Sequence, residues 1–367
     1  MRVLIAGGGT GGHLTPALAV AQALRDSDPG GSVVVVGRRG GVAERLVTEA
    51  GVELETLDIS GVDVSNPRSV VRALSQLPRA TLAARRLLRR WHPDVVVGAG
   101  GYVCVPVVGA AQSQRIPVVL MEQNAYPGRA TRLLARRARF VAASFAETAR
   151  LLSGARVVHT GNPIRREVRA LVPAPLSDAL RNVLVTGGSQ GARRINNAVL
   201  GCTRELLERY SDLGIVHQCG KLDWDTVRAA AAGLAPALAL RYHAAPFFDD
   251  IASRIAGSDV VLMRAGGSSL AECAALGRPM ILVPYPHAGG HQRFNAAPYI
   301  KAGAGVLIDD AECTPERVEA EISRLREQPQ QWRAMAENSR AMGRPDAAAA
   351  VVELIAQASR DTSRTAA

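Results

Sequence analysis

The chain is poor in lysine, in aromatic residues and in closely spaced cysteines. Only two of its 44 basic residues are lysines, aromatic residues make up 4%, and the five cysteines lie far apart with no C-x-x-C pair. This spacing argues against structural zinc and against a disulfide framework, so we expect five buried, small apolar side chains. The scarcity of aromatic side chains argues against stacking on single-stranded nucleic acid, and we expect no nucleic-acid partner.

Long apolar runs are missing as well. The first run, Val3–Ala6, ends at a cluster of glycines, and no stretch reaches the ~20 uncharged apolar residues of a membrane span. This pattern predicts a protein that is made and kept in the cytosol. No Asp-x-Asp directly follows an apolar strand to hold a nucleotide-bound divalent ion, and Asp249-Asp250 is better suited to begin a helix. We therefore expect neither a metal ion nor a cofactor.

Positive charge and glycine are abundant. The formal net charge is +11, and the chain contains 35 glycines. A basic balance predicts an anionic partner, such as nucleic acid, anionic lipid or a phosphorylated substrate. A compositional bias toward arginine would account for the charge equally well.

A length of 367 residues predicts two domains. Each half alternates short apolar runs with helical periodicity, which predicts a parallel sheet with helices on both faces. Prolines interrupt the pattern at positions 163, 173 and 175, where we place the domain boundary. The predicted strands are Val3–Ala6, Val33–Val36, Glu53–Leu57, Val95–Val97, Val118–Met121, Val141–Ala143, Val183–Val185, Ile215–Gln218, Leu238–Tyr242, Val260–Met263, Met280–Val283 and Val306–Ile308.

The two halves open with similar glycine turns. Residues 7–12 (Gly-Gly-Gly-Thr-Gly-Gly) and 187–191 (Gly-Gly-Ser-Gln-Gly) each follow a strand and precede a helix. Such glycines let the backbone approach a phosphate, whose charge the helix N-terminus attracts. His13 follows the first turn, where the helix start disfavours protonation of the ring, and a neutral imidazole can act as a general base. An ordinary helix-start histidine is the alternative.

The first turn also contains G-x-G-x-x-G, which suggests a dinucleotide site. An NAD site would need an acidic residue at the end of the second strand, where this chain has Gly37-Arg38-Arg39. NAD is therefore disfavoured, whereas Arg38 could meet the 2′-phosphate of NADP. An NADP oxidoreductase stays open as an alternative.

A third glycine-rich helix start lies at residues 266–272. Its N-terminus can face a diphosphate, and the carboxylate of Glu272 can bridge two ribose hydroxyls. Compensation of the helix dipole by a first-turn acid is the alternative. Polar side chains at 284–287 and 291–295 follow the next strand, at the edge where open α/β sheets bind ligands.

Seven motifs together resemble one family. They are Gly8–His13, Gly100–Tyr102, Glu122–Asn124, Gly161–Arg165, Gly187–Gly191, Gly266–Glu272 and His291–Asn295, spread in order over most of the chain. In this combination the chain resembles the MurG family of bacterial N-acetylglucosaminyltransferases, which complete the lipid-linked peptidoglycan precursor. Two places depart from the family pattern. Ala265-Gly266-Gly267-Ser268-Ser269 stands where relatives often have Ser-Gly-Ala and a threonine, and His291 stands where some have glutamine.

The resemblance implies a GT-B fold of two Rossmann-like domains with a cleft between them. Residues 1–163 would form the acceptor and membrane-facing domain, with helix 346–358 packed back on it, and residues 164–343 the UDP-sugar domain. The implied reaction is an inverting transfer of N-acetylglucosamine from UDP-N-acetylglucosamine to the 4-hydroxyl of lipid I, the undecaprenyl-diphosphate N-acetylmuramoyl pentapeptide. The product would be lipid II, for peptidoglycan synthesis, cell shape and cell division.

The resemblance also assigns residues. His13 matches the candidate base, Glu272 would bind the ribose, Gln292 would lie near the sugar, and the backbone near Phe248 would contact uracil. The full set of implied donor contacts is Thr10, Gly11, Gly12, Asn124, Arg165, Ser189, Phe248, Gly267, Ser268, Ser269, Leu270, Ala271, Glu272 and Gln292. A catalytically silent nucleotide-sugar-binding protein and a UDP-sugar 2-epimerase on the same fold are neighbouring alternatives.

The segment Arg68–Trp91 combines seven arginines with apolar residues, namely Val70, Val71, Leu74, Leu77, Leu82 and Leu87. An apolar stripe rimmed by cations suits an anionic leaflet, and Arg136, Arg137 and Arg139 would extend it. A pair of domain helices with a solvated basic face is the alternative. The resemblance favours peripheral attachment to the cytoplasmic face of the bacterial plasma membrane, with further partners among cell-wall synthesis and division proteins.

Overall fold

The structure, a computed structural model, describes residues 1–8, 11–38, 42–60, 67–173, 175–176, 178–287 and 290–365. The chain divides into two compact units, Met1–Arg166 with Pro345–Ala367, and Glu167–Arg344. Each unit is built on one parallel sheet. The predicted α/β class with two Rossmann-like domains is confirmed.

The first unit contains a seven-stranded sheet in the order β3-β2-β1-β4-β5-β6-β7. Its strands are β1 (Arg2–Ala6), β2 (Ser32–Arg38), β3 (Glu53–Leu57), β4 (Val95–Gly98), β5 (Val118–Glu122), β6 (Phe140–Ala143) and β7 (Val157–His159). Its helices are α1 (Gly11–Ser27), α2 (Val42–Glu49), α3 (Pro67–Trp91), α4 (Cys104–Ser113), α5 (Arg129–Leu134), α6 (Thr148–Leu151) and, near the C-terminus, α16 (Ala347–Thr365).

Alternating residues of β1 enter two separate cores in this unit. Leu4 and Ala6 pack in one apolar cluster, whereas Val3 and Ile5 pack in the other. Because successive side chains of a strand point to opposite faces, both faces of the sheet are buried, and near-continuous apolar strands are the expected result. Helix α16 contributes Val351 and Ile355 to the second cluster and packs against α1.

The short helix α7 (Arg166–Ala170) leads into the second unit, whose six-stranded sheet has the order β10-β9-β8-β11-β12-β13. Its strands are β8 (Asn182–Thr186), β9 (Gly214–Gln218), β10 (Tyr242–Ala245), β11 (Val260–Met263), β12 (Met280–Leu282) and β13 (Gly305–Leu307). Its helices are α8 (Arg193–Arg209), α9 (Trp224–Ala232), α10 (Pro236–Ala239), α11 (Ile251–Gly257), α12 (Gly267–Ala275), α13 (His291–Lys301), α14 (Pro315–Glu327) and α15 (Pro329–Met342).

One strand prediction was wrong. The run Leu238–Tyr242 was expected to be a strand, but Pro236–Ala239 forms the single-turn helix α10, and the strand begins only at Tyr242, which pairs with Ile215. Pro236 occupies the first helical position, where its fixed φ favours a helix start. A short apolar run does not by itself distinguish a strand from a buried helical turn.

A buried histidine connects β9 to β10 and to α8 through hydrogen bonds. His217 on β9 lies 2.8 Å from the Tyr242 hydroxyl through Nδ1 and 3.0 Å from Asn196 Oδ1 through Nε2. The Asn196 side-chain amide donates to the carbonyl of Cys219 and to Asp223, both at 2.8 Å, which leaves its oxygen facing the ring. Burial lowers the pKa of His217 to about 4, against a smaller opposing effect of the Asp223 charge. The imidazole is therefore held neutral.

We expect this histidine to make the second unit sensitive to acid. Because the folded pKa is depressed, the unfolded chain binds more protons between about pH 6.5 and pH 4, so stability falls as the pH falls through that window. The expected loss is about 2 kcal/mol between pH 7 and pH 5. Urea unfolding at both pH values measures it. The His217→Gln variant should show a smaller pH-dependent loss, whereas replacing the exposed His243 by Gln should leave the wild-type dependence intact; an equal slope in His217→Gln would contradict the assignment.

Candidate active site

The strand order of each sheet reverses direction at one place. In the first sheet this switch lies between β1 and β4, and in the second between β8 and β11. Open α/β sheets bind ligands at such a switch, beyond the carboxyl ends of the strands. The segment with His13 follows β1, and the Gly100–Tyr102 motif follows β4. In the second unit the 187–191 turn follows β8, and the Gly267–Glu272 helix start follows β11.

His13 lies in the first turn of α1, and its ring is half-buried. Its Nδ1 lies 3.0 Å from Oε1 of Gln123, which directly follows β5. Gln123 is 4% exposed, and its Nε2 donates to the carbonyl of Ala99 at 2.9 Å. Segments that follow three neighbouring strands, β1, β4 and β5, thus meet at the imidazole.

Two glycines after β4 allow this close approach. Gly100 has φ +99°, and a Cβ at that position would lie 2.5 Å from His13 Nδ1. Gly101 has φ +79°, and a Cβ there would lie 1.9 Å from the carbonyl oxygen of Gly8. Both contacts are too close for a side chain, and both backbone conformations favour glycine. The Gly100–Tyr102 motif is therefore a packing requirement of the turn that carries His13.

The buried carboxylate of Glu122 organises the loop after β5. Its Oε1 accepts from the backbone N–H of Asn124 at 3.0 Å and from the Asn124 side-chain amide at 3.2 Å, and its Oε2 accepts from the N–H of Gly128 at 2.9 Å. Asn124, a predicted donor contact, is half-buried and held in place by these bonds. Gly11 and Gly12 open α1, Arg165 precedes α7, and Thr10 lies outside the described residues.

In the second unit, Gln218 connects two predicted donor segments. It is 3% exposed at the end of β9, and its amide donates to Thr186 Oγ1 at 3.2 Å and to the Gly188 carbonyl at 3.4 Å. Its Oε1 accepts from the backbone N–H of Phe248 at 3.0 Å. The 187–191 turn, which carries the exposed Ser189, and the Phe248 segment after β10 are thus fixed relative to each other.

Three residues separate the end of β11 from the start of helix α12, and Arg264 anchors this connecting loop. Its Nη1 donates to the Val283 carbonyl at 3.0 Å and pairs with Asp310 at 2.5 Å. The Leu270 N–H already bonds to the Gly266 carbonyl, so Gly267 and Ser269 supply the amides at the open end of the helix. Leu270 itself is fully buried, whereas Ser268 and Ala271 are half-buried.

Glu272 is the sixth residue of α12 and is 5% exposed. It lies in the second turn, beyond the first turn that the sequence pattern suggested. Because the attraction of a carboxylate to the helix dipole falls off within the first turn, dipole compensation does not explain a buried glutamate here. Its contact with the ribose hydroxyls of a donor stays a prediction.

Helix α13 carries the last predicted donor contact. The Oε1 of Gln292 accepts from the N–H of Tyr285 at 2.9 Å, which directs the side-chain NH2 group away from that loop. Three residues on, the buried Asn295 donates to the Ala265 carbonyl at 3.3 Å, next to the start of α12. The His291–Asn295 motif therefore joins the loop after β12 to the loop after β11.

A pocket of about 590 Å³ opens beside Phe248. The Arg254 guanidinium carbon lies 3.9 Å above the Phe248 ring, and the lining also includes Trp224, Arg228 and His243. Of the predicted donor contacts that the structure describes, only Phe248 lines it. The strand-edge loops carry most of the predicted donor contacts, so they mark the candidate site better than this pocket does.

No group of three or more histidine, cysteine, aspartate or glutamate side chains among the described residues is arranged to hold a metal ion. Within the same ranges, no helix is long and apolar enough to span a bilayer. All five cysteines are buried and free, as predicted. Burial raises the pKa of the Cys104 thiol to about 12, so Sγ stays protonated and donates to the Ala6 carbonyl at 2.9 Å.

Known proteins match this arrangement over nearly the whole chain. The model of the glycosyltransferase family 28 N-terminal domain matches residues 3–143, and that of the C-terminal domain matches residues 182–351. A UDP-N-acetylglucosamine–N-acetylmuramyl-(pentapeptide) pyrophosphoryl-undecaprenol N-acetylglucosamine transferase from Anaeromyxobacter sp. is 38% identical, covering 97% of this chain and 93% of the relative. The chain belongs to the MurG family. A transferase of the same name from Syntrophotalea carbinolica is 41% identical, covering 89% and 90% of the two chains.

Solved structures agree with this assignment. The crystal structure of MurG from Acinetobacter baumannii matches with a TM-score of 0.76 and 32% identity, covering 97% of this chain and 99% of that one. UDP-N-acetylglucosamine 2-epimerase from Neisseria meningitidis matches with a TM-score of 0.68 at 15% identity, covering 97% and 100%, which shows a shared fold and nothing more. Membership of the MurG family confirms the predicted transferase class and removes the oxidoreductase alternative.

Three positioning residues escaped prediction from the sequence. Gln123, Gln218 and Arg264 each bind a backbone group of a loop at the carboxyl edge. Each ends or follows a predicted strand, so their place in the pattern was visible. Their partners were not, because those partners belong to loops that are distant in sequence.

Proposed function

We propose that this chain transfers N-acetylglucosamine from UDP-N-acetylglucosamine to the 4-hydroxyl of lipid I, with inversion, and so forms lipid II for peptidoglycan synthesis. Relatives of that transferase name cover nearly the whole chain. The observation that carries the proposal at the level of residues is that two predicted donor segments, the 187–191 turn and the start of α12, follow β8 and β11, the strands on either side of the switch. That edge offers a glycine turn, a helix N-terminus and a buried carboxylate together.

The second unit would hold the donor nucleotide. The open end of α12 suits the diphosphate, and Glu272 in the next turn suits the ribose hydroxyls. The Phe248 N–H is bonded to Gln218, so the backbone contact to uracil would use the Phe248 carbonyl, which can accept from the ring N–H. The NH2 group of Gln292 would donate to a sugar hydroxyl, because its oxygen accepts from Tyr285.

The reaction requires two kinds of help. A base must take the proton of the acceptor hydroxyl as it attacks the anomeric carbon, and the departing UDP needs its developing charge stabilised. We assign the base to His13, whose half-buried ring lies at the switch between β1 and β4. We assign stabilisation of UDP to the N-terminus of α12, whose dipole attracts negative charge without a metal ion.

Transfer of radiolabelled N-acetylglucosamine from its UDP donor to a lipid I analogue tests the function. We expect labelled lipid product both with and without a chelator, because the donor groups named above need no divalent ion.

Replacing His13 by alanine should lower turnover by about 10²-fold with little change in donor affinity, as expected for loss of a base. Intact donor binding without lipid product would favour a silent binding protein, and a near-normal rate in His13→Ala would assign the base elsewhere.

Glu272→Ala should weaken UDP-N-acetylglucosamine binding by about 1–3 kcal/mol, since ribose hydroxyls would lose a charged partner in a desolvated site. Calorimetric titration with the donor measures this change. Glu316→Ala is the matched control, because Glu316 lies in the first turn of α14 in the same unit and has no predicted donor role. Equal donor affinity in the two variants would remove Glu272 from the site.

We also propose that the first unit rests on an anionic membrane surface. Helix α3 is one continuous helix of 25 residues, and all seven of its arginines are exposed. Val71 is 66% and Leu82 50% exposed, and since they lie three turns apart they share one face. Leu133 on α5 is 70% exposed, and α4 packs against both α3 and α5. Leu87, which the sequence placed in the same stripe, is instead buried in the core.

Co-sedimentation with vesicles tests this surface. Binding should require phosphatidylglycerol and weaken with salt, because each arginine near an anionic surface contributes about 1 kcal/mol and is screened by ions. The Val71→Gln/Leu82→Gln double variant should bind about 10-fold more weakly, from the lost insertion of two apolar side chains. The control is Leu222→Gln/Leu240→Gln, which changes two exposed leucines of the second unit. Equal binding by both double variants would exclude α3 as the contact.

A further inference from the structure

We propose that Gln123 is a positioning residue that holds His13 with its proton on Nδ1, so that Nε2 is the nitrogen that accepts the proton of the acceptor hydroxyl. This inference deepens the proposed function and rests on the assignment of His13 as the base. The sequence pattern assigns no role to Gln123.

The orientation of the Gln123 amide follows from its other partner. The Ala99 carbonyl lies 2.9 Å from one end of the amide, and a carbonyl can only accept. That end must be the NH2 group, so the oxygen Oε1 is the end that faces His13 at 3.0 Å. An amide oxygen also only accepts, and the ring nitrogen opposite it must donate. His13 Nδ1 therefore carries a proton.

The carbonyl that sets this chain of bonds is itself fixed. Ala99 lies just beyond β4, and its N–H donates to the Ala6 carbonyl of β1 at 2.8 Å. The next residue, Gly100, donates its N–H to Cys104 Sγ at 3.1 Å and packs against the imidazole. Gln123 is 4% exposed, so water does not compete effectively for its amide. Donation thus runs from His13 through Gln123 and Ala99 to the Ala6 carbonyl of β1, and the sheet fixes this direction.

The chemical consequence concerns the far side of the ring. A neutral imidazole has one N–H and one lone pair, and the bond made by one nitrogen decides the state of the other. With Nδ1–H committed to Gln123, Nε2 keeps its lone pair and can take a proton. In water the Nε2–H form is the commoner tautomer, so without Gln123 the nitrogen at the reacting position would often carry a proton already. When the base takes the proton, Gln123 Oε1 stays bonded to Nδ1–H of the imidazolium.

Nitrogen NMR of the ¹⁵N-histidine-labelled enzyme tests the tautomer without any turnover. The His13 signals, assigned by their loss in His13→Ala, should show a protonated Nδ1 and an unprotonated Nε2 at a pH where the ring is neutral. Gln123→Met, which keeps the length of the side chain but removes the acceptor, should shift His13 toward the Nε2–H form. Gln123→Glu, which keeps an oxygen acceptor, should retain the Nδ1–H form. A protonated Nε2 in the neutral wild-type ring would overturn the proposal.

Turnover with the lipid I analogue provides the second measurement. Gln123→Met should lower kcat by about 10²-fold, as expected when a catalytic histidine adopts the wrong tautomer, with the donor KM little changed and Gln123→Glu closer to wild type. The matched control is Gln112→Met, which removes the hydrogen bond from the Gln112 side-chain amide to the Leu134 carbonyl elsewhere in the same unit. A shifted tautomer with normal kcat, or a reduced kcat with an unchanged tautomer, would each refute the positioning role.

The two proposals fail in different ways. If His13→Ala keeps a near-normal rate, the base assignment is lost, whereas the nitrogen spectrum still reports whether Gln123 sets the tautomer. If His13→Ala is inactive but the wild-type ring carries its proton on Nε2, the base assignment stands and the role of Gln123 is lost.

Discussion

The parallel direction of the strands is the constraint on which the rest of this protein depends. Where all strands of a sheet run the same way, both faces must be covered by the connecting helices, and polar groups can gather only at the strand ends. At the carboxyl edge of each sheet, a reversal of strand order separates two neighbouring loops and opens a place for a ligand. In both units the glycine-rich segment after the first strand lies at that reversal, so the same sheet architecture can provide a ligand site in each unit.

The loops at these edges are held chiefly by hydrogen bonds to backbone groups. Gln123 and Asn295 donate to loop carbonyls, Gln218 bonds to loops on both of its sides, and Arg264 joins two strand ends to an aspartate. A backbone carbonyl can only accept and a backbone N–H can only donate, so each such bond fixes which end of an amide faces the ligand side. The orientation of these side chains at the site is therefore set by the sheets, whose hydrogen-bonded strand pairs fix the backbone positions.

Local patterns predicted most of the fold. Short strand-like runs located eleven of the thirteen strands in the part of the chain that the structure describes, since most buried parallel strands are apolar on both faces. The prediction failed where a short apolar run is compatible with both a strand and a helical turn, and where a strand was very short. Leu238–Tyr242 is partly a helical turn, and β7, a three-residue strand at the sheet edge, was too short to stand out. The apolar residues of α3 were also misjudged in part, because Leu87 faces the core while Val71 and Leu82 face outward. Which side of a helix is covered depends on its neighbours, and these are distant in sequence.

The family, the two α/β domains, the glycine turns and most candidate ligand groups could be predicted from the sequence, because they reside in short motifs whose chemistry is local. How those groups are held depends on the folded chain. Folding placed Glu272 in a buried second turn, turned the Phe248 N–H toward Gln218, and set the Gln123 amide between the Ala99 carbonyl and His13. The physical reason is that hydrogen-bond direction depends on which donor and acceptor meet across the sheet edge, and only folding brings residues 99 and 123 to residue 13.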